Sequence, residues 1–133
     1  MNFNKINLEI KNSKFHHFGI GVNKIDEFNK KLDKIKIFDP LQNVNVAFFY
    51  LNNFCIEIVE PVDNKSPVYN SLKNNINYTH LCYETFNYNE TILSLKSMKF
   101  IQISKPVIAK AFNKEIVWFK HLNLGLLEII INE

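Results

Sequence analysis

The same succession of segments runs twice along this chain of 133 residues, and that duplication restricts the fold more than any other feature of the sequence. Residues 15–22 alternate as a strand does. Ile25, Phe28 and Leu32 then recur at helical spacing behind Asn23, a helix-capping residue type. A brief strand at 36–38 stops at Asp39-Pro40. Residues 44–51 are strongly β-prone, Asn52-Asn53 suits a tight turn, and 54–60 form the next strand. This order, β-α-β-β-β, returns in the second half. A strand at 78–85 precedes a helix at 88–98 with Ile92, Leu95 and Met98 on one face. A strand at 99–103, a loop around Pro106, and strands at 115–120 and 125–131 complete it. Between the halves, Ser66-Pro67 starts a short helix through Leu72, since proline suits a first helical position. The expected organisation is one domain over 1–133, with a first module at about 14–62, a connector at 63–76 and a second module at about 77–133. Residues 1–12 are expected to add an edge strand or an arm onto a partner subunit.

Composition removes several function classes. The chain has lysine but no arginine, and its net charge is only +3. The densest lysines, Lys30, Lys31 and Lys34, read as a solvated helix face rather than a nucleic-acid patch. No apolar stretch reaches the roughly 20 residues of a membrane span, and the N-terminus has no hydrophobic signal core. A cytoplasmic protein without membrane or nucleic-acid partners is expected. Cys55 and Cys82 fall in apolar runs and are expected as buried free thiols.

Four residues able to ligate metal occupy matching places in the two halves: His17 and Glu57, then His80 and Glu128. Histidine and glutamate are 40 residues apart in the first half and 48 in the second (57 − 17 and 128 − 80). Polar residues in apolar strands need a reason, because an unpaired buried charge is costly. A divalent ion shared by two imidazoles and two carboxylates supplies one for both halves at once. Taken singly, each histidine reads as a satisfied core residue and each glutamate as a solvated charge; their parallel placement reverses that reading. His16 adjoins His17 and is expected on the opposite face of the strand. His121 is expected near a turn at the surface. Glu60 and Tyr83 suit either the cleft wall or packing. Trp118, Phe119, Phe48 and Phe49 are expected in the core or an interface.

These segments resemble the vicinal oxygen chelate superfamily, and within it the glyoxalase I and methylmalonyl-CoA epimerase branch. Phe15-His16-His17-Phe18-Gly19-Ile20-Gly21-Val22 is similar to the family's opening strand, whose final His binds metal. Ile56-Glu57-Ile58-Val59-Glu60-Pro61 resembles the segment with a ligand four residues before a proline. Tyr78-Thr79-His80-Leu81-Cys82-Tyr83 resembles the strand of the second His, and Gly125-Leu126-Leu127-Glu128-Ile129 the closing strand. The resemblance runs from about Lys14 to the C-terminus. It implies an α+β fold of two tandem β-α-β-β-β modules forming a half-open barrel, glyoxalase/bleomycin-resistance-like.

The resemblance also implies a function: a metal-dependent isomerase, epimerase or lyase acting on a carbonyl or thioester substrate through a metal-bound enolate. His17, Glu57, His80 and Glu128 would hold one divalent ion, with Glu128 the first choice of base and Glu57 the second. Four protein ligands leave room for substrate on five- or six-coordinate Ni, Co, Mn, Fe or expanded Zn. Paired sheets and the extra N-terminal segment suit a homodimer. Methylmalonyl-CoA epimerase or lactoylglutathione lyase proper are the narrower alternatives. The absence of arginine weighs against a glutathione substrate. Residues 44–51 hold no acidic residue and no lysine, which weighs against the epimerase. A non-catalytic small-molecule-binding module is the rival class, and an iron dioxygenase with a His-His-Glu site is a third.

Overall fold

The computed structural model describes residues 4–133. Its first half contains β1 (Ser13–Gly21), α1 (Ile25–Phe28), α2 (Lys30–Lys34), β2 (Ile37–Asp39), β3 (Val44–Leu51) and β4 (Phe54–Pro61). The short α3 (Pro67–Lys73) follows. The second half contains β5 (Tyr78–Thr85), α4 (Tyr88–Ser97), β6 (Ile101–Gln102), β7 (Val107–Ala109), β8 (Lys114–His121) and β9 (Gly125–Ile131). The strands form one curved, unclosed sheet in the order β2-β3-β4-β1-β5-β9-β8-β6, with β7 also on β8. In each half the opening strand pairs in parallel with the closing one, β1 with β4 and β5 with β9. The two opening strands pair antiparallel at the centre. The α+β fold of duplicated modules expected from the sequence is the fold observed.

Local chemistry explains the elements. Asn52 takes a left-handed φ of 54° and turns β3 into β4, a conformation asparagine tolerates. Pro67 opens α3, where its missing N–H costs nothing. Leu95 on α4 is fully buried with Val117, Phe119, Leu127 and Ile129, and Ile92 and Met98 pack against them. The first half is filled by Ile25, Ala47 and Ile58 and by Val44, Val46, Val59 and Val68.

Several expectations are corrected. The helix after Asn23 is two short helices, broken at Asn29, whose backbone is extended (φ −163°, ψ 118°). The Asn29 side chain accepts from the Lys31 and Leu32 amides, so a capping residue inside the periodic run ended one helix and began another. The strand expected at 99–103 spans only Ile101–Gln102, and the loop around Pro106 carries β7. Residues 4–10 form no strand. They run toward α4, where the Lys11 amide donates to Ser94 Oγ and Thr91 Oγ1 donates to the Lys11 carbonyl. Residues 1–3, part of the expected arm, lie outside the described residues. Among those described, no helix is long and apolar enough to cross a membrane.

Candidate metal centre

The sheet register arranges the four candidate ligands in two rows. In one, Phe48, Glu57, Gly19, His80 and Leu126 are neighbours on β3, β4, β1, β5 and β9. In the other, His17, Cys82, Glu128 and Trp118 are neighbours on β1, β5, β9 and β8. Each row thus joins a glutamate of one module to a histidine of the other across one small residue, Gly19 or Cys82. Strands two apart lie about 10 Å from each other, so these side chains meet only by leaning over the residue between them. Gly19 follows His17 by two positions and Cys82 follows His80 by two, so the small spacer is itself part of the repeat.

The leaning succeeds. All four residues are buried, from 0% exposure at His17 to 6% at Glu57. His17 Nε2 stands 3.2 Å from His80 Nε2, 3.4 Å from Glu128 Oε1 and 3.8 Å from Glu57 Oε1. His80 Nε2 stands 3.4 Å from Glu57 Oε1 and 3.5 Å from Glu128 Oε1. Donors on one ion with bonds of about 2.0–2.2 Å are spaced about 3–4 Å from each other. Glu128 Oε1 is buried without a hydrogen-bond partner, an acceptor that a cation would satisfy. The residues present therefore fit a divalent ion. Cys82 does not join this set as a thiolate: burial, and then the Glu128 carboxylate, push its thiol well above its ordinary value.

Electrostatics separate the two carboxylates. Burial pushes Glu57 well above its ordinary 4.5, and the Glu128 and Asp39 charges push it further. Burial opposes ionisation of Glu128 too, but the two histidines that face it outweigh burial and hold this carboxyl at about 2. Burial lowers His17 below its usual 6.5, so its ring is neutral at pH 7, as a ligand must be. In the metal-free protein, the favourable burial of neutral Glu57 is complete below pH 4.5 and is lost as pH rises through its raised value. A cation bound at these residues would have to displace that proton. Metal affinity is expected to rise with pH until Glu57 ionises in the free protein, with close to one proton released per ion below that point. Calorimetric titration with Zn in buffers of different ionisation enthalpy measures the release. Release unchanged in Glu57→Gln would exclude Glu57 as its source.

Other residues reach the site that the sequence did not place there. His16 does not face away from His17: its Nδ1 lies 2.8 Å from His17 Nδ1, because β1 carries a bulge here. Phe48 and Trp118, expected in core or interface, stand edge-on to His17 at 5.4 Å and to His80 at 5.1 Å. Phe112, between β7 and β8, packs on the His17 ring at 5.8 Å. Asp39, at the end of β2, lines a narrow cavity with Gln42, Phe112, Glu57 and Glu128. The stop signal at Asp39-Pro40 was legible; that it aims a carboxylate at the cleft depends on how β2 pairs with β3. Glu60 faces structure instead, accepting from the Ile25 amide and Asn45 Nδ2. Tyr83 packs on Phe15 and the α4 core. His121 sits at the β8–β9 turn, as expected, and accepts from the Asn123 and Leu124 amides. Phe119 is core, Phe49 packs on Phe28 at 5.2 Å, and both cysteines are free and buried.

A duplicated β-α-β-β-β sheet curved around paired histidines and glutamates defines a recognisable class. The model of the Glyoxalase/Bleomycin resistance protein/Dioxygenase superfamily matches residues 16–119, and the chain belongs to that superfamily. The matched span contains His17, Glu57 and His80 and ends before Glu128. Among solved structures, a hypothetical protein from Bacillus halodurans C-125 is 21% identical, with a TM-score of 0.70 over 92% of this chain and 96% of that one. Methylmalonyl-CoA epimerase from Mycobacterium tuberculosis is 16% identical, with a TM-score of 0.68 over 90% and 87%. A single-residue variant of the Streptomyces coelicolor methylmalonyl-CoA epimerase, in complex with 2-nitronate-propionyl-CoA, is 15% identical, with a TM-score of 0.70 over 90% and 94%. These likenesses concern the fold. No curated protein matches the chain.

Proposed function

We propose that this protein is a metal-dependent isomerase, epimerase or lyase that moves a proton on a carbon beside a carbonyl. His17, Glu57, His80 and Glu128 would hold one divalent ion, with Zn, Ni, Co or Mn compatible with two imidazoles and two carboxylates. The observation that carries this reading is the convergence of four buried donors, one of them an oxygen without a hydrogen-bond partner. Bound there, the ion would supply Lewis acidity to a substrate carbonyl oxygen. The chain's own residues do the rest. Glu128 takes the proton from the substrate carbon and returns it, with Glu57 as second candidate. Phe48, Phe112 and Trp118 keep water from the reacting centre.

Within this reading the substrate is a small carbonyl compound or an acyl thioester. The epimerase neighbours support the thioester, and the lack of arginine weighs against the carboxylates of glutathione. Inversion at carbon needs proton carriers on two sides. Residues 44–51 supply none, but Asp39 puts a third carboxylate on the cavity wall. We place the protein in the cytoplasm and expect it to pair as a homodimer.

Elemental analysis and solvent exchange test the reading together. About one transition metal per chain is expected, and deuterium from D2O should enter the α-carbon of methylmalonyl-CoA or of a simple hydroxyketone. Binding of metal without exchange into any carbonyl substrate would favour a binding module. Failure to bind Zn, Ni, Co or Mn would sink the proposal.

A further inference from the structure

The central β1–β5 ladder contains two irregularities, and they mirror each other. On β1, Phe15 pairs with Tyr83 and His17 with Cys82, so His16 is an extra residue without a partner. On β5, His80 pairs with Gly19 and Tyr78 with Ile20, so Thr79 is the extra residue. Each bulged residue immediately precedes a candidate ligand histidine. Regular pleating would turn both away from the site, but a bulge re-aims its side chain. His16 Nδ1 reaches His17 Nδ1 at 2.8 Å, and Thr79 Oγ1 reaches His80 Nδ1 at 2.7 Å. Both partners touch the ring nitrogen that faces away from the donor cluster, whereas both Nε2 atoms face into it.

We propose that His16 and Thr79 are positioning residues: the paired bulges turn them onto His17 and His80, fixing each ring's orientation and tautomer for metal binding. This rests on the metal reading above. A histidine that ligates through Nε2 must carry its proton on Nδ1, and that proton needs an acceptor. His17 Nδ1–H donates to His16 Nδ1, which leaves the His16 proton on its own Nε2. His80 Nδ1–H donates to Thr79 Oγ1, and the hydroxyl proton is free to turn elsewhere. In both modules the acceptor comes from the ligand's own strand, one residue earlier, so the device is built into the duplicated unit. Gly19 completes it, because a Cβ there would overlap both Thr79 Oγ1 and the His80 ring.

The test uses the full chain with His16→Leu and Thr79→Val, which remove the acceptor, beside His16→Asn and Thr79→Ser, which return an oxygen near the same place. Zn affinity is read by competition with a chromogenic chelator, and ring tautomers by 15N NMR of the metal-free, 15N-histidine-labelled protein. Loss of an outer partner of this kind weakens metal binding about 10- to 100-fold. That loss is expected in His16→Leu and Thr79→Val, with one ion still bound at saturation and with recovery in His16→Asn and Thr79→Ser. The metal-free wild type should show His17 and His80 protonated on Nδ1, and each acceptor-removing variant should lose that preference at its own histidine. Unchanged affinity and tautomer in both would overturn the proposal. So would a second ion in the wild type that His16→Leu abolishes, since His16 would then be a ligand. A wild type that binds no Zn would sink the metal reading alone, and the tautomer signals would still decide whether the bulges set the rings.

Discussion

Glu128→Gln is expected to keep most of the bound metal and to lose proton transfer by about 10²- to 10⁴-fold, the usual contribution of a positioned general base. The substitution separates two roles that alanine would confuse. A carboxamide retains an oxygen that can face the cluster, where Glu128 Oε1 lies 3.4 Å from His17 Nε2 and 3.5 Å from His80 Nε2. It cannot accept a proton near neutral pH. Glu128→Ala removes both functions, and metal should fall with activity. The measurement is deuterium entry into the substrate α-carbon, compared between Glu128→Gln and Glu57→Gln with metal content determined for each. The comparison matters because the two carboxyls differ. Glu57 is raised by burial and by its acidic neighbours, whereas Glu128 is held at about 2 by the two histidines. A carboxylate so stabilised is a weak base, and coordination to a cation would weaken it further, so proton transfer would require Glu128 to loosen from the cluster. Full exchange in Glu128→Gln, with loss in Glu57→Gln, would transfer the role to Glu57.

The sequence carried the fold and the four candidate ligands for the same reason. Duplication writes each signal twice, so a histidine or glutamate that is ambiguous once becomes informative at the matching place. The strands at 44–51, 78–85 and 125–131 were legible because their apolar runs are long and bounded by Asn, Pro or Gly. What stayed hidden depends on pairing. A bulge has no residue-type signature in Phe15-His16-His17, so strict alternation turned His16 outward, while the ladder turns it inward. Asp39 read as a strand stop, and only the pairing of β2 with β3 places it at the cavity. Phe48 and Trp118 read as core because aromatic residues in strands usually are; their register beside Glu57 and Glu128 makes them walls of the site. Asn29 broke one helix into two through a side-chain cap that periodicity does not register.

That dependence on register makes Gly19→Ala the second large effect. Gly19 lies between Glu57 and His80 in the sheet, and both side chains meet only by crossing it. Its φ is not in the left-handed region, so backbone strain is not the reason for glycine here. The reason is space: an added Cβ would overlap His80 Cε1, His80 Nδ1 and Thr79 Oγ1, far inside van der Waals contact. The imidazole is a rigid ring held by its own strand, so relief requires His80 to swing off the cluster or β1 and β5 to separate. Overpacking of this kind costs about 1–3 kcal/mol, which for a chain of this size lowers Tm by several degrees, roughly 3–10 °C. The larger consequence falls on the metal, since moving one of four donors by about an ångström removes it from the set. Zn affinity is expected to fall at least 100-fold, about 2.7 kcal/mol, while circular dichroism shows a folded β-rich protein. Gly21→Ala is the control, because the nearest atoms its Cβ would meet are the tips of Val68 at 3.0 Å and Leu72 at 3.3 Å and the Asn77 carbonyl at 3.5 Å. Those side-chain tips can give way, so Gly21→Ala should bind Zn as the wild type does. Equal Zn affinity in Gly19→Ala and wild type would mean that His80 is not a ligand, and that the row from Glu57 to His80 does not build the site.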